Sequence, residues 1–337
     1  MPIKFAGLVL LLGAGVAGVA GAQKTDTVWI RNGDRITGEV KSMSRGLLKF
    51  STNDLGTINI EWDKIDRIST TRVVEVRLAS GDKFFGRLGL DSASRVVVAG
   101  DTIPLREIVK LTPIKGSFLS RLDGYLDLGL SYQKAHSALQ FSTGTRVQYR
   151  GPKAETVLDL TSYAERRDDG PRTSRLTTAV TERFFLSNRW STGGVVGFDQ
   201  NAELDLAGRG RLVGFGTRTF VQTNRIEFLG SSGLVLTREK YFSTEGTTEG
   251  VEGLLWLSFR AFRYDSPKLD ASLVSQAYPS FTIKGRWRLQ NDVRVSYELF
   301  GDFTLTATLF DSYDSKPQGV SAPTHDYGTT FGISWTF

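Results

Sequence analysis

The sequence predicts an all-β protein: a closed antiparallel transmembrane β-barrel of about 12 strands, carrying a duplicated small β-domain at its N-terminus. Three observations predict this. Glycine is abundant (36) and aromatics reach 11%, with only 9 Pro, which favours tight turns and strands over helical bundles. From Phe118 onward, apolar and polar residues alternate over runs of ten to sixteen residues. A soluble strand averages about five or six residues, whereas a tilted strand needs about nine to eleven to cross a bilayer. Finally, an export-like leader opens the chain and an aromatic terminus closes it.

The leader, residues 1–22, has Lys4 as a short basic region and an apolar stretch from Phe5 to Val19. Ala20 and Ala22 place small residues at the two positions that a signal peptidase reads. A single anchoring helix is the alternative, and the Gly-rich, small-x-small end favours cleavage. No Cys occurs anywhere and His occurs twice, which excludes disulfides, a structural zinc site and a thiol nucleophile within one chain. The net charge of +6 is spread among acids, as on a solvated surface or in a polar lumen, and indicates no nucleic-acid partner.

Residues 23–116 form the second part, and within them two stretches look like copies. Val28–Val40 and Val74–Leu88 each give a strand, a Gly-Asp turn (Gly33-Asp34, Gly81-Asp82) and a second strand with Gly four residues after the Asp. Gly-Asp between alternating apolar runs signals a hairpin, because these residues tolerate the positive φ of a tight turn. Both copies end in a short segment with apolar residues three apart, Asp63–Ile68 and Arg106–Leu111, as in one helical turn. Two twisted β-units of about forty-five residues, similar to SH3-like or Sm-like barrels, are expected to bury each other's apolar faces. Trp29 and Trp62 are expected in that core, and Asp34 and Asp82 as turn formers.

Residues 117–337 carry the long strands, at about 118–132, 139–150, 153–166, 173–187, 189–201, 208–222, 224–240, 248–264, 267–280, 285–299, 302–313 and 326–337. Arg286–Leu299 is the clearest, with Trp287, Leu289, Val293, Val295, Tyr297 and Leu299 opposite Arg286, Arg288, Arg294 and Glu298. Tight links such as Gly151-Pro152, Ser187-Asn188-Arg189 and Asp265-Ser266-Pro267 alternate with longer polar ones such as Arg167–Arg172 and Asp314–His325. Outer-membrane barrels show this asymmetry, with short periplasmic turns and longer external loops. Lipid leaves open strand edges without partners, so such a sheet is expected to close. Arg146, Arg286, Arg288, Arg294, Glu252 and Glu298 are the candidate lumen charges: either an anion-selective lining or mutually paired plugs, the latter favoured because twelve strands enclose a narrow lumen.

The chain ends polar-x-Gly-x-x-aromatic-x-Phe, through Thr330, Gly332, Trp335 and Phe337. This resembles the terminal signal that bacterial outer-membrane barrels present to their assembly machinery. The region from 26 to 337 also resembles a family of uncharacterised proteins described as salt-induced outer-membrane proteins. The resemblance is carried by Gly33-Asp34 through Gly38, Glu61-Trp62-Asp63 to Ile68, Tyr297–Phe300, Leu309–Ser315 with Pro317, and Asp326-Tyr327-Gly328. It implies a β-barrel of unknown activity and brings no catalytic residues.

These readings describe a non-enzymatic protein of the outer membrane of a diderm bacterium, with its N-terminal domain in the periplasm. Its expected role is structural, adaptive to envelope stress or weakly channel-forming. Its expected partners are outer-membrane lipids and the assembly machinery, with no cofactor, metal or nucleic acid. One alternative is a periplasmic module that binds a peptide or envelope polymer and uses the barrel as anchor. A lesser alternative is a rim-site hydrolase in which His136 and His325 meet, oriented by Asp326, with Ser131 or Ser137 as nucleophile.

Overall fold

The structure is a computed structural model that describes residues 25–335 except 92–93, 115–117, 119–120, 135–137, 152, 167–172, 203–204, 244, 302 and 317–323. The leader, with Ala20 and Ala22, and the terminal Phe337 therefore lie outside the described residues.

The N-terminal unit gives nearly the same element order twice, with two short strands in the second copy where the first has a single long one. In the first copy, β1 (Asp26–Ile30) and β2 (Arg35–Ser44) form a hairpin, followed by β3 (Leu47–Ser51) and β4 (Thr57–Glu61). A 3₁₀ turn, Trp62–Lys64, then leads into β5 (Ile65–Ser69), which returns to pair with β1. In the second copy, β6 (Val74–Leu78) and β7 (Lys83–Gly86) form the hairpin. β8 (Gly89–Leu90), β9 (Arg95–Val98) and β10 (Asp101–Pro104) follow, then a 3₁₀ turn at Leu105–Glu107 and β11 (Ile108–Pro113), which pairs with β6.

The two hairpin turns match bond for bond. Ile30 N donates to Asp34 O and Gly33 N to Ile30 O; Leu78 N donates to Asp82 O and Gly81 N to Leu78 O. Gly33 and Gly81 both sit at φ +99°, in the left-handed region where a side chain is strained. Asp34 and Asp82 each accept a bond from the residue two before, Asn32 and Ser80, at 2.7 Å.

β11 also pairs with β2, at Leu111↔Met43, so both copies contribute to one eight-stranded sheet, beside a three-stranded sheet of β8–β10, and they share one core of Val28, Met43, Leu48, Phe50, Ile68, Val76, Ile108 and Leu111. Trp62 belongs to this core, and its indole N–H donates to Leu105 O across the copies at 2.7 Å. Trp29 does not. It is half-buried, with Arg35 and Arg67 guanidiniums 5.5 and 5.7 Å from its ring, because its β1 position faces the outer side of the pleat. Asp26 is buried at the start of β1, where its carboxylate accepts Val40 N (2.9 Å) and Thr71 N (2.8 Å), so its burial is compensated.

Twelve long strands follow: β12 (Leu122–Gln133), β13 (Ala138–Arg150), β14 (Ala154–Arg166), β15 (Thr173–Phe185), β16 (Trp190–Asn201) and β17 (Leu206–Gln222), then β18 (Ile226–Tyr241), β19 (Thr248–Arg263), β20 (Leu269–Pro279), β21 (Trp287–Phe300), β22 (Phe303–Asp314) and β23 (His325–Trp335). Each pairs antiparallel with the next in one sheet, and the expected bounds agree to within a few residues. Among the described residues no ladder joins β12 to β23, so the sheet as observed has two edges. The most exposed apolar side chains on it lie on those edges, Leu130 at 76% and Phe331 at 73%.

Burial on this sheet is inverted. Leu128, Phe141, Val196, Leu212, Leu234, Leu255 and Ile333 are exposed, whereas Glu165, Glu252 and Glu298 are buried, Glu298 to 3%. Phe262, which alternation places on the polar side, is buried with them. The sheet therefore curls with its charged face inward.

Candidate functional site

The inner face is paired, not bare. Arg146 donates to Asp159 at 2.9 Å across β13 and β14. Arg286 grips Asp314 with two bonds, of 3.0 and 2.6 Å. Arg288 does the same to Glu252, with one bond at 3.0 Å, and so reaches from β21 past β20 to β19. That bridge over an intervening strand requires a concave face. Glu298 accepts Lys268 N at 2.7 Å, with the Lys268 ammonium 3.5 Å away. Arg294 is exposed on β21. Of the six candidate lumen residues, the structure brings together only Arg288 and Glu252; Arg146, Arg286 and Glu298 find other partners.

The remaining predicted positions are dispersed. Thr330, Gly332 and Trp335 lie on β23, opposite Thr308, Thr306 and Phe303. His325, at the start of β23, bonds Asp311 at 2.5 Å and stands beside Tyr313 and Tyr327. Asp326 faces Ser312, and Ser131 faces Gln140. His136 and Ser137 lie outside the described residues.

The richest chemistry lies where the N-terminal unit meets the short turns of the long strands. Four successive turns at that end make contact. At the end of β13, Arg150 lies 4.0 Å from Glu75 of β6. After β15, Arg189 donates to Ala79 O and to Phe220 O. After β17, Asn224 donates to Ile108 O at 2.9 Å. After β19, Asp265 meets the Lys64 ammonium at 2.5 Å. Gly46 matters here: at φ +70°, a Cβ on it would lie 2.7 Å from Asn224 O, so only glycine allows this approach.

A cleft of about 680 Å³ opens at this junction, lined by Trp62, Leu105 and Phe262 among apolar groups and by Arg31, Arg95 and Arg225 among basic ones. On its wall, carboxylate oxygens of Glu61, Asp63 and Asp265 lie within 4.8 Å of one another. This is the one such cluster among the described residues. Burial, with Asp265 close by, holds the Glu61 carboxyl above its usual value. The bond from Lys64 holds Asp265 below its own, so Lys64 already serves as counter-ion and a metal would have to displace it. Sequence reading missed Lys64, Arg189, Asn224 and Asp265. The only local signal was their place in tight turns, with Asn188 and Arg189 both at positive φ.

No curated protein and no solved structure is significantly similar to this chain. A family model described as "Protein of unknown function, DUF481" matches residues 126–337. The match spans the long strands from β12 to the last residue and leaves out the N-terminal unit, so it is narrower than the resemblance read from residue 26 onward. Through this all-β region, which makes up more than half of its length, the chain belongs to the DUF481 family.

Proposed function

We propose that the protein is an outer-membrane β-barrel in which β12 and β23 close the sheet in the bilayer and the N-terminal unit caps its periplasmic mouth. The observation that carries this is the inverted burial of the twelve strands: a band of exposed Leu, Val and Phe encloses buried, paired charges. In water that arrangement would leave far more apolar surface bare than a soluble protein carries. In lipid it is the stable one, once every strand edge has a partner. The C-terminal signal and the likeness to salt-induced outer-membrane proteins support the same reading. The role is structural, in envelope-stress adaptation, or that of a narrow and largely plugged channel, with no catalysis.

The test is membrane fractionation together with a heat-modifiable gel shift of protein folded in detergent. Because the chain has no Cys, closure can be read by pairing a cysteine at Leu128 with one at Thr329, Phe331 or Ile333 and scoring the cross-link. Folding in plain buffer with the Leu and Val side chains protected would overturn the proposal. The cleft of about 680 Å³ favours a second reading, in which the N-terminal unit binds a peptide or envelope polymer there. Binding at this cleft by a chain that never enters a membrane would establish the second reading in place of the first.

A further inference from the structure

We propose that the junction of the N-terminal unit with the long strands contains a binding site for a tetrahedral oxyanion, either phosphate or a phosphate monoester. A separate cavity of about 200 Å³ lies there, between β6, β7 and β11 on one side and the turn-side ends of β13–β18 on the other. Six cationic side chains line it: Arg77, Lys83, Lys110, Arg150, Arg183 and Arg189. Only two carboxylates do, Glu155 and Glu227. Both are engaged: Glu155 accepts Gln148 (2.5 Å) and Arg150 (3.4 Å), and Glu227 accepts Gln222 (3.5 Å).

Pairing with protein groups does not exhaust these donors. Glu75, behind the wall, takes Arg77 Nη2 at 3.1 Å and has Arg150 Nη2 at 4.0 Å, beyond hydrogen-bond reach. Arg77 Nε, Arg150 Nη2 and Arg183 Nε are left buried without an acceptor. Among the described residues, the Lys110 amine has neither a hydrogen bond nor an ion pair.

The Phe185 ring orders the group, with Arg150 Cζ 3.8 Å from its centroid, Lys83 Nζ 5.7 Å and Arg77 Cζ 5.9 Å. A guanidinium stacked on a ring keeps its N–H bonds free in its own plane, the geometry that takes phosphate oxygens in pairs. Buried donors without acceptors are costly, and a tetrahedral anion supplies several acceptors and negative charge at one point, which a carboxylate or a water does less well. In keeping with this crowding, burial, with Arg150 and Arg77 next to it, pushes the Lys110 ammonium down to about 8. The cavity has room for a phosphate with a small substituent, and its chemistry fits a free phosphate and a lipid phosphate headgroup alike. The site rests on the junction geometry alone and holds whether or not the sheet spans a membrane.

The test uses the mature chain folded in detergent, with inorganic phosphate as probe, followed by calorimetric titration and thermal unfolding. Phosphate is expected to bind and to raise the melting temperature, whereas equal ionic strength of chloride is not. Affinity should fall as pH rises through about 8. Lys110→Met and Arg183→Met should each weaken binding about ten-fold or more, since each removes a charged donor and orphans no carboxylate. Lys110→Met should melt no lower than the parent without phosphate, which separates lost binding from lost folding. Glycerol phosphate, and vesicles with or without a phosphomonoester lipid, form the second arm. Binding of the lipid alone assigns the site to a headgroup, and binding of free phosphate assigns it to the soluble anion. No response to any of these probes, an equal response to chloride, or unchanged binding in both variants would overturn the site.

Discussion

The two halves of this chain use the same alternation of apolar and polar residues and hide opposite faces. In the N-terminal unit, Val28, Met43, Leu48 and Phe50 are sealed inside and most charges face out, Asp26 and Glu75 excepted. In the twelve long strands, Leu128, Leu212 and Leu234 face out and Glu252 and Glu298 are sealed inside. Periodicity therefore marks the strands and their two faces. Which face is hidden depends on what covers the sheet. Two short sheets can stack on each other, whereas a long sheet that curls on itself can enclose only a narrow strip, here filled by Arg–carboxylate pairs.

The largest test of this contrast is Phe50→Ala, which empties a fully buried site. It should cost about 3–5 kcal/mol in the N-terminal unit and leave the heat-modifiable shift of the long strands intact. Next is Leu212→Arg on the exposed face of β17. In a bilayer it should cost about 2–4 kcal/mol, measured by denaturant titration of vesicle-folded protein. The same change on a water-facing surface would cost almost nothing.

Smaller is Glu252→Ala, which strands Arg288 on the inner face. It should destabilise by about 1–3 kcal/mol, with partial recovery in the double variant Glu252→Ala, Arg288→Met. The smallest effect is on docking of the two halves, followed by protease cleavage between them. Asp265 is held below its ordinary carboxyl value, so its contribution is present above about 3.8 and is lost as pH falls through its lower folded value. Docking should loosen in that acid range, and Asp265→Asn should reproduce the loosening at neutral pH. Glu61, held above its ordinary value, has the opposite dependence, so Glu61→Gln isolates the Asp265 branch.

Local pattern made much of this legible. The run Arg286–Leu299 announces β21, and the two Gly-Asp turns announce two matched hairpins, because strand period and turn chemistry are encoded within a few residues. Partnership is not encoded that way. Arg286 pairs with Asp314 and Arg288 with Glu252, choices set by curvature and stagger. Trp29 looked like core and became a shelf for two arginines, because a strand's two faces are equivalent until neighbours cover one. The junction was the least legible part. Asn224 meets Ile108 from 116 residues away, and Lys110, two residues along β11, carries no motif that foretells a cavity.

The grip on four consecutive hairpin tips has a mechanical consequence. Tips that would otherwise splay or draw together are tied to one stiff, well-packed body, so their spacing is fixed. Freedom to move is then left to the opposite ends of the strands, where the longer connections lie. The brace, and not the ladder, sets how far apart the near ends of the strands can move.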